Sequence, residues 1–224
     1  MKKCLIGLVS LAFLAGCSSD SDDNKAPQVS GVFSGVTYSE AGTPLKVTAT
    51  AINLAASDLM PSKTIVTLWD ERDQQVSYSG IYHQDSNKLT FANEQYECIP
   101  DNNLWLCSSV VESFTLSKVT QEAVNIDLVL GSYSALFESE PYRVVIAADN
   151  KLTVSGAGCE ANGSISYELN EQVLMFELAD NALQDACGFD NLTGIMSYIS
   201  DNDELFSLEF QTVNAEIPTT WVKL

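Results

Sequence analysis

The residues best able to do chemistry are six cysteines, one histidine and 30 carboxylates, and their spacing decides what each can do. Cys98, Cys107, Cys159 and Cys187 lie in the body of the chain, contain no Cys-x-x-Cys pair and are remote in sequence from His83, so no zinc site is expected. As a general base His83 needs a nucleophile and an orienting group within reach. No Gly-x-Ser-x-Gly elbow, Walker loop, dinucleotide fingerprint or His-Glu-x-x-His motif accompanies it. Carboxylates abound, but a glycosidase pair is defined by separation in space. Asp201, Asp203 and Glu204 offer oxygens to calcium, yet lack the glycine and ligand spacing of an EF-hand loop and read as a solvated turn. The chain is therefore expected to be non-catalytic, with no cofactor and no metal. An acidic hydrolase is the minor alternative and requires a cleft with a perturbed carboxylate pair.

The 224 residues carry 11 Lys and Arg against 30 Asp and Glu, a net charge of -19, with 46% hydrophobic and 18% charged residues. That is too apolar for a disordered chain, and the length suits one large β domain or two small ones. The acidity argues against nucleic acid, whose phosphates need Lys and Arg to displace counterions. It also argues against an anionic lipid surface read by basic clusters.

Met1-Lys2-Lys3 is a short cationic segment, and Leu5 to Ala15 is apolar but too short to span a bilayer. The stretch ends in Leu14-Ala15-Gly16-Cys17, which resembles the lipobox of bacterial lipoproteins. The resemblance implies a signal peptide over residues 1–16, cleavage before Cys17, and lipid on its thiol and new N-terminus. By the same resemblance Ser18, in place of an Asp, favours the outer membrane, facing either the periplasm or the outside. The membrane is then contacted through the lipid alone. Residues 17–28 form the lipidated Cys17 and an acidic tether (SSDSDDNKAPQ), polar and without periodicity. Its eleven residues at ~3.3 Å each hold the domain up to ~36 Å from the lipid. Losing Lys2 and Lys3 leaves 9 basic against 30 acidic side chains, a net of -21. Such a charge keeps a protein soluble and speeds encounter with a basic protein partner.

In an oxidising envelope the four remaining cysteines are expected to pair as Cys98–Cys107 and Cys159–Cys187, since each pair brackets one local unit. Pro100 to Asn103 is turn chemistry, so the first bridge staples a hairpin. Loop-closure entropy gives about 2.6 kcal/mol for the shorter loop and about 3.6 kcal/mol for the longer.

The elements that must carry these residues are strands. Val124, Ile126, Leu128 and Leu130 alternate with polar residues or Val129, as do Ile165, Tyr167 and Leu169, and Phe206, Leu208 and Phe210. Turn signals separate them at Asp85–Asn87, Asp101–Asn103, Asp149–Asn150, Asn162–Gly163, Asn170–Glu171 and Asp201–Asp203. Short helical turns are predicted at Ala51–Met60 and Asp180–Ala186. The fold class is all-β: an antiparallel meander in two related small barrel-like units, 29–128 and 129–224, or one larger barrel or sandwich. Two echoes support a repeat. Gly31-Val32-Phe33-Ser34-Gly35 recurs as Gly131-Ser132-Tyr133-Ser134-Ala135, and Ser79-Gly80-Ile81 with Leu89 and Phe91 recurs as Thr193-Gly194-Ile195 with Leu205 and Phe206.

Gly158-Cys159, Asn162-Gly163-Ser164-Ile165, the strand Val173–Leu178, Cys187-Gly188 and Thr193-Gly194-Ile195 together resemble a layout in uncharacterised proteobacterial β-barrel lipoproteins. The resemblance covers residues 129–210. It implies an antiparallel barrel and a Cys159–Cys187 bridge, and it carries no activity.

Trp69 closes an apolar strand and Trp221 is expected to close the last strand against the first of its unit. Trp105 sits on the Cys98–Cys107 hairpin. Displayed there it is a candidate binding anchor; packed inward it is core. The leading expectation is an outer-membrane lipoprotein whose acidic surface binds a basic protein, as an envelope accessory or in inhibitor- or immunity-like duty. A carrier holding a small molecule or lipid in a barrel mouth is the alternative, although large inward Phe176, Phe206 and Phe210 favour a filled core. Replacing the lipidated thiol, Cys17→Ala, should move the protein from the membrane to the soluble fraction of fractionated cells; retention in the membrane would refute the anchor.

Overall fold

The structure is a computed structural model that describes residues 29–52, 63–72, 74–83, 85–170, 172–179, 191–201, 205–213 and 217–224. The first half contributes β1 (Gly31–Tyr38), β2 (Pro44–Ile52), β3 (Lys63–Trp69), β4 (Gln75–Ser79), β5 (Ile81–His83), β6 (Lys88–Phe91), β7 (Tyr96–Ile99), β8 (Leu104–Ser109) and β9 (Ser113–Val119). They form one antiparallel sheet in the order β4-β3-β2-β1-β9-β8-β7-β6-β5. A helical turn, α1 (Ile126–Val129), follows. The second half contributes β10 (Gly131–Phe137), β11 (Glu140–Ile146), β12 (Lys151–Gly156), β13 (Cys159–Glu168), β14 (Val173–Leu178), β15 (Thr193–Asp201), β16 (Leu205–Thr212) and β17 (Thr220–Lys223). These close into an eight-stranded meander barrel.

The first sheet is nearly closed for a local reason. Its two edge strands, β4 and β5, are separated only by Gly80. The stretch 75–83 thus acts as one kinked strand whose first part pairs with β3 and whose second part pairs with β6. A Cβ on Gly80 would come within 2.9 Å of Thr64 Cγ2 and 3.0 Å of Leu89 Cδ1, so a side chain there would push both neighbours away. Strand β13 solves the same problem at Gly163. Cys159–Ser164 pair with β12, Gly163–Glu168 pair with β14, and a Cβ on Gly163 would collide with the Glu177 carbonyl. The Asn162–Gly163 turn expected from composition is therefore the kink of a long strand. It follows that Gly80 corresponds to Gly163 and not to Gly194, so the second sequence echo is out of step with the fold.

The first echo is in step and extends further than the five residues suggest. Val29-Ser30-Gly31-Val32-Phe33-Ser34 leads into β1 as Val129-Leu130-Gly131-Ser132-Tyr133-Ser134 leads into β10, with both valines and both aromatics buried. Phe33 is opposite Lys118 on β9, and Tyr133 is opposite Lys223 on β17. Each lysine lies over the glycine two residues before its aromatic and donates to a carbonyl just upstream, Lys118 Nζ to Ser30 O at 2.9 Å and Lys223 Nζ to Leu128 O at 3.2 Å. Two residues before each lysine the rung pairs a tryptophan with a leucine, transposed between the halves: Trp105 with Leu116, and Leu208 with Trp221. All four are fully buried. The same volume fills both barrels from opposite strands.

Two other expectations change. Residues 124–130 alternate as a strand would, but Asn125 caps α1, its side chain accepting from the Asp127 N–H at 2.9 Å. Local capping outweighs the apolar alternation there, and Leu128 is left 45% exposed. Of the two predicted helical turns, Ala51 and Ile52 belong to β2, while 53–60 and 180–186 lie outside the described residues.

The transposed rung can be tested by transposing it again. Trp105→Leu should lower stability by about 3 kcal/mol through the cavity it leaves, and Leu116→Trp by about 1–3 kcal/mol through overpacking. The double exchange should recover at least half of the summed loss in urea unfolding. Strict additivity would refute the volume-swap account.

Candidate functional site

The barrels meet through their outer surfaces. Val32, Ile52 and Ile65 of the first pack on Val173, Met175 and Ile195 of the second. Beside this apolar patch Thr67 Oγ1 donates to Gln211 Oε1 at 3.3 Å, and Gln75 Nε2 donates to the Phe210 carbonyl at 3.0 Å. Strand alternation explains the arrangement. Phe33, Val47, Ala49, Leu174 and Met196 point into the barrels, which leaves Val32, Thr48, Thr50, Val173 and Ile195 on the outside.

Where the two outer faces diverge, a cleft of about 250 Å³ opens. Val32, Thr48 and Thr50 line it from the first barrel, and Gln172, Val173, Ile195, Met196, Ser197, Tyr198 and Gln211 line it from the second. The connecting segment adds Gln121, Glu122 and Val124. That segment is held to the second barrel by two hydrogen bonds: Gln172 Nε2 donates to the Gln121 carbonyl at 3.0 Å, and the Ile126 N–H donates to Tyr167 Oη at 2.9 Å. Among the described lining residues Glu122 is the one carboxylate, and none is a lysine, arginine or histidine. The surface is thus an aliphatic floor rimmed by hydroxyls and amides with a single negative charge, a composition that suits recognition.

Behind Tyr198, the one aromatic among the described lining residues, lie aromatic residues of the second barrel's interior. Tyr198 stacks on Phe206 with centroids 5.4 Å apart, Tyr133 lies 6.3 Å beyond, and Lys223 Nζ sits 4.7 Å from the Phe206 centroid. The Tyr133 hydroxyl donates to the Val129 carbonyl at 2.8 Å, and burial pushes its pKa up to about 12.

The residues singled out in the sequence do not converge on this cleft. Trp105, for which the sequence leaves both display as an anchor and inward packing open, is fully buried 4.4 Å from the Phe33 ring. Its position on β8 faces the interior, and this corrects the binding role. Cys98 and Cys107 are directly opposed on β7 and β8 and are disulfide-bonded, stapling the expected hairpin. Cys159 on β13 is disulfide-bonded; Cys187 lies outside the described residues, as does Cys17. His83 ends β5 with Nε2 3.0 Å from Thr90 Oγ1, a strand-to-strand contact. The Asp203 and Glu204 pair and the Asp201 side chain are also outside the described residues. Sequence reading missed Gln121, Glu122 and Gln172. The available signal was Asn125 two residues before Asp127, which marks a cap and hence a linker rather than a strand.

Comparison with known protein families, curated proteins and solved structures finds no match.

Tyr133 gives the fold a pH dependence with a definite sign. Its pKa is raised from 10.0 to about 12, so between those values the folded chain keeps a proton that the unfolded chain releases. Stability is then undiminished below pH 10 and falls as pH rises towards 12. Tyr133→Phe should flatten the decline of the urea midpoint across that window. An unchanged slope would assign the effect to other tyrosines, such as Tyr82 and Tyr96, whose pKa values burial also raises.

Proposed function

We propose that this protein is a non-catalytic binding module, anchored at the outer membrane through lipid on Cys17, that holds a basic protein of the envelope against the cleft between its two barrels. The observation that carries the reading is the cleft itself, built from outward-facing residues of both barrels and their connecting segment. The net charge of -19 favours a basic partner and a salt-sensitive encounter. Accessory duty in an envelope assembly and inhibitor- or immunity-like duty both suit such a surface.

The carrier reading draws less support. Phe33, Leu89, Phe91, Trp105 and Leu116 fill the first barrel, and Tyr133, Phe176, Phe210 and Trp221 fill the second. A carried molecule is therefore left with the cleft outside them. The hydrolase reading lacks a second carboxylate among the described lining residues.

Crosslinking in the native envelope, followed by capture of the lipidated protein at low and moderate salt, tests the proposal. The expected result is one basic partner whose recovery falls as salt rises. Absence of any partner at either salt would overturn it, and extraction of the purified protein for a bound small molecule would then be the next step.

A further inference from the structure

Resting on that reading, we infer that the cleft receives a lysine side chain from an extended segment of the basic partner, with its ammonium at Glu122. Three features of the lining converge on this occupant. The first is charge: Glu122 is the one carboxylate among the described lining residues, no basic side chain there competes for it, and the chain as a whole is strongly negative. The second is the floor. Val32, Val124, Val173 and Ile195 present aliphatic surface, which matches the four-carbon stem of a lysine better than a short polar group. The third is the rim, where the Thr48 and Ser197 hydroxyls and the Gln121 and Gln172 amides stand. An ammonium has three donors, of which a carboxylate uses one or two, and hydroxyl or amide oxygens serve the rest. The same groups can pair with the backbone of an extended segment.

Size and geometry narrow the choice further. About 250 Å³ is below the roughly 300–1,000 Å³ of sites that enclose a drug-sized molecule, so one inserted side chain fits better than a whole ligand. Arginine suits the site less well, because its planar group gains most from bidentate carboxylate contact and an open aromatic face. Here one face of Tyr198 is stacked on Phe206. A lysine seated in the cleft touches both barrels and the connecting segment at once, so binding also ties the barrels together.

The test uses the full chain in detergent and three capped tripeptides, Ala-Lys-Ala, Ala-Arg-Ala and Ala-norleucine-Ala, with affinities read by saturation-transfer NMR. The lysine peptide should bind about twofold to fivefold tighter than the norleucine peptide and tighter than the arginine peptide. Glu122→Gln should remove most of the lysine preference. Glu40→Gln changes net charge equally at the β1–β2 turn, at the far end of β1 from Val32, and should leave the preference intact. Equal losses in the two variants would mean bulk charge and overturn the inference, as would norleucine binding as tightly as lysine. If no tripeptide binds while the envelope partner is still captured in a salt-sensitive way, the lysine inference falls and the binding-module reading stands. Lysine preference without a captured partner gives the reverse result.

Discussion

A closed antiparallel sheet leaves no backbone edge unpaired, and the molecule achieves that closure fully in its second half and nearly in its first, where β4 and β5 abut across Gly80. Each barrel must bring its last strand back to its first and let its fourth strand serve two neighbours set at an angle. Lysines do part of the first task. Lys118 and Lys223 lie over Gly31 and Gly131 and tie the closing strand to the carbonyl just upstream of the opening one. Those glycines have φ of 149° and 132°, values that L side chains rarely adopt. Glycine does the second task at Gly80 and Gly163, where a Cβ would force the neighbouring strand away.

Closure has a consequence for function. A small barrel of eight strands has an interior just wide enough to be filled by side chains, and here aromatic residues fill it. With the interiors filled, recognition moves to the outside of the barrels. The outer faces that meet are apolar at Val32, Ile52, Ile65, Val173, Met175 and Ile195, and they become more polar where the cleft opens. The same alternation that fills the cores therefore supplies the cleft, since each inward residue leaves an outward neighbour.

Charge acts on a different scale. Exposed pairs such as Lys88–Glu97, at 2.7 Å, contribute little to stability. The large excess of carboxylates sets the long-range field that a partner meets first, whereas Glu122 is a single exposed charge at the edge of the cleft. Steering and seating are separate roles for acidic residues, and only the second depends on where the chain folds.

Much of the fold is legible in the sequence, because a two-residue period has a direct physical meaning. Phe206, Leu208 and Phe210 predict an inward face on β16, and the Cys98–Cys107 spacing around Pro100–Asn103 predicts a stapled hairpin; both are found. The repeat of Gly31–Gly35 in Gly131–Ala135 likewise marks equivalent first strands. Tertiary structure decided the rest. Whether Trp105 faces core or solvent depends on which side of β8 the closing strand covers, and no local pattern encodes that. Asn162-Gly163 has turn chemistry in isolation and becomes a strand kink only because β12 and β14 diverge around it. The cleft joins Val32, Glu122, Gln172 and Ile195, residues brought together by the packing of a nearly closed sheet against a closed barrel. Period and composition report the state of neighbours along the chain, while such a site depends on contacts between surfaces far apart in sequence.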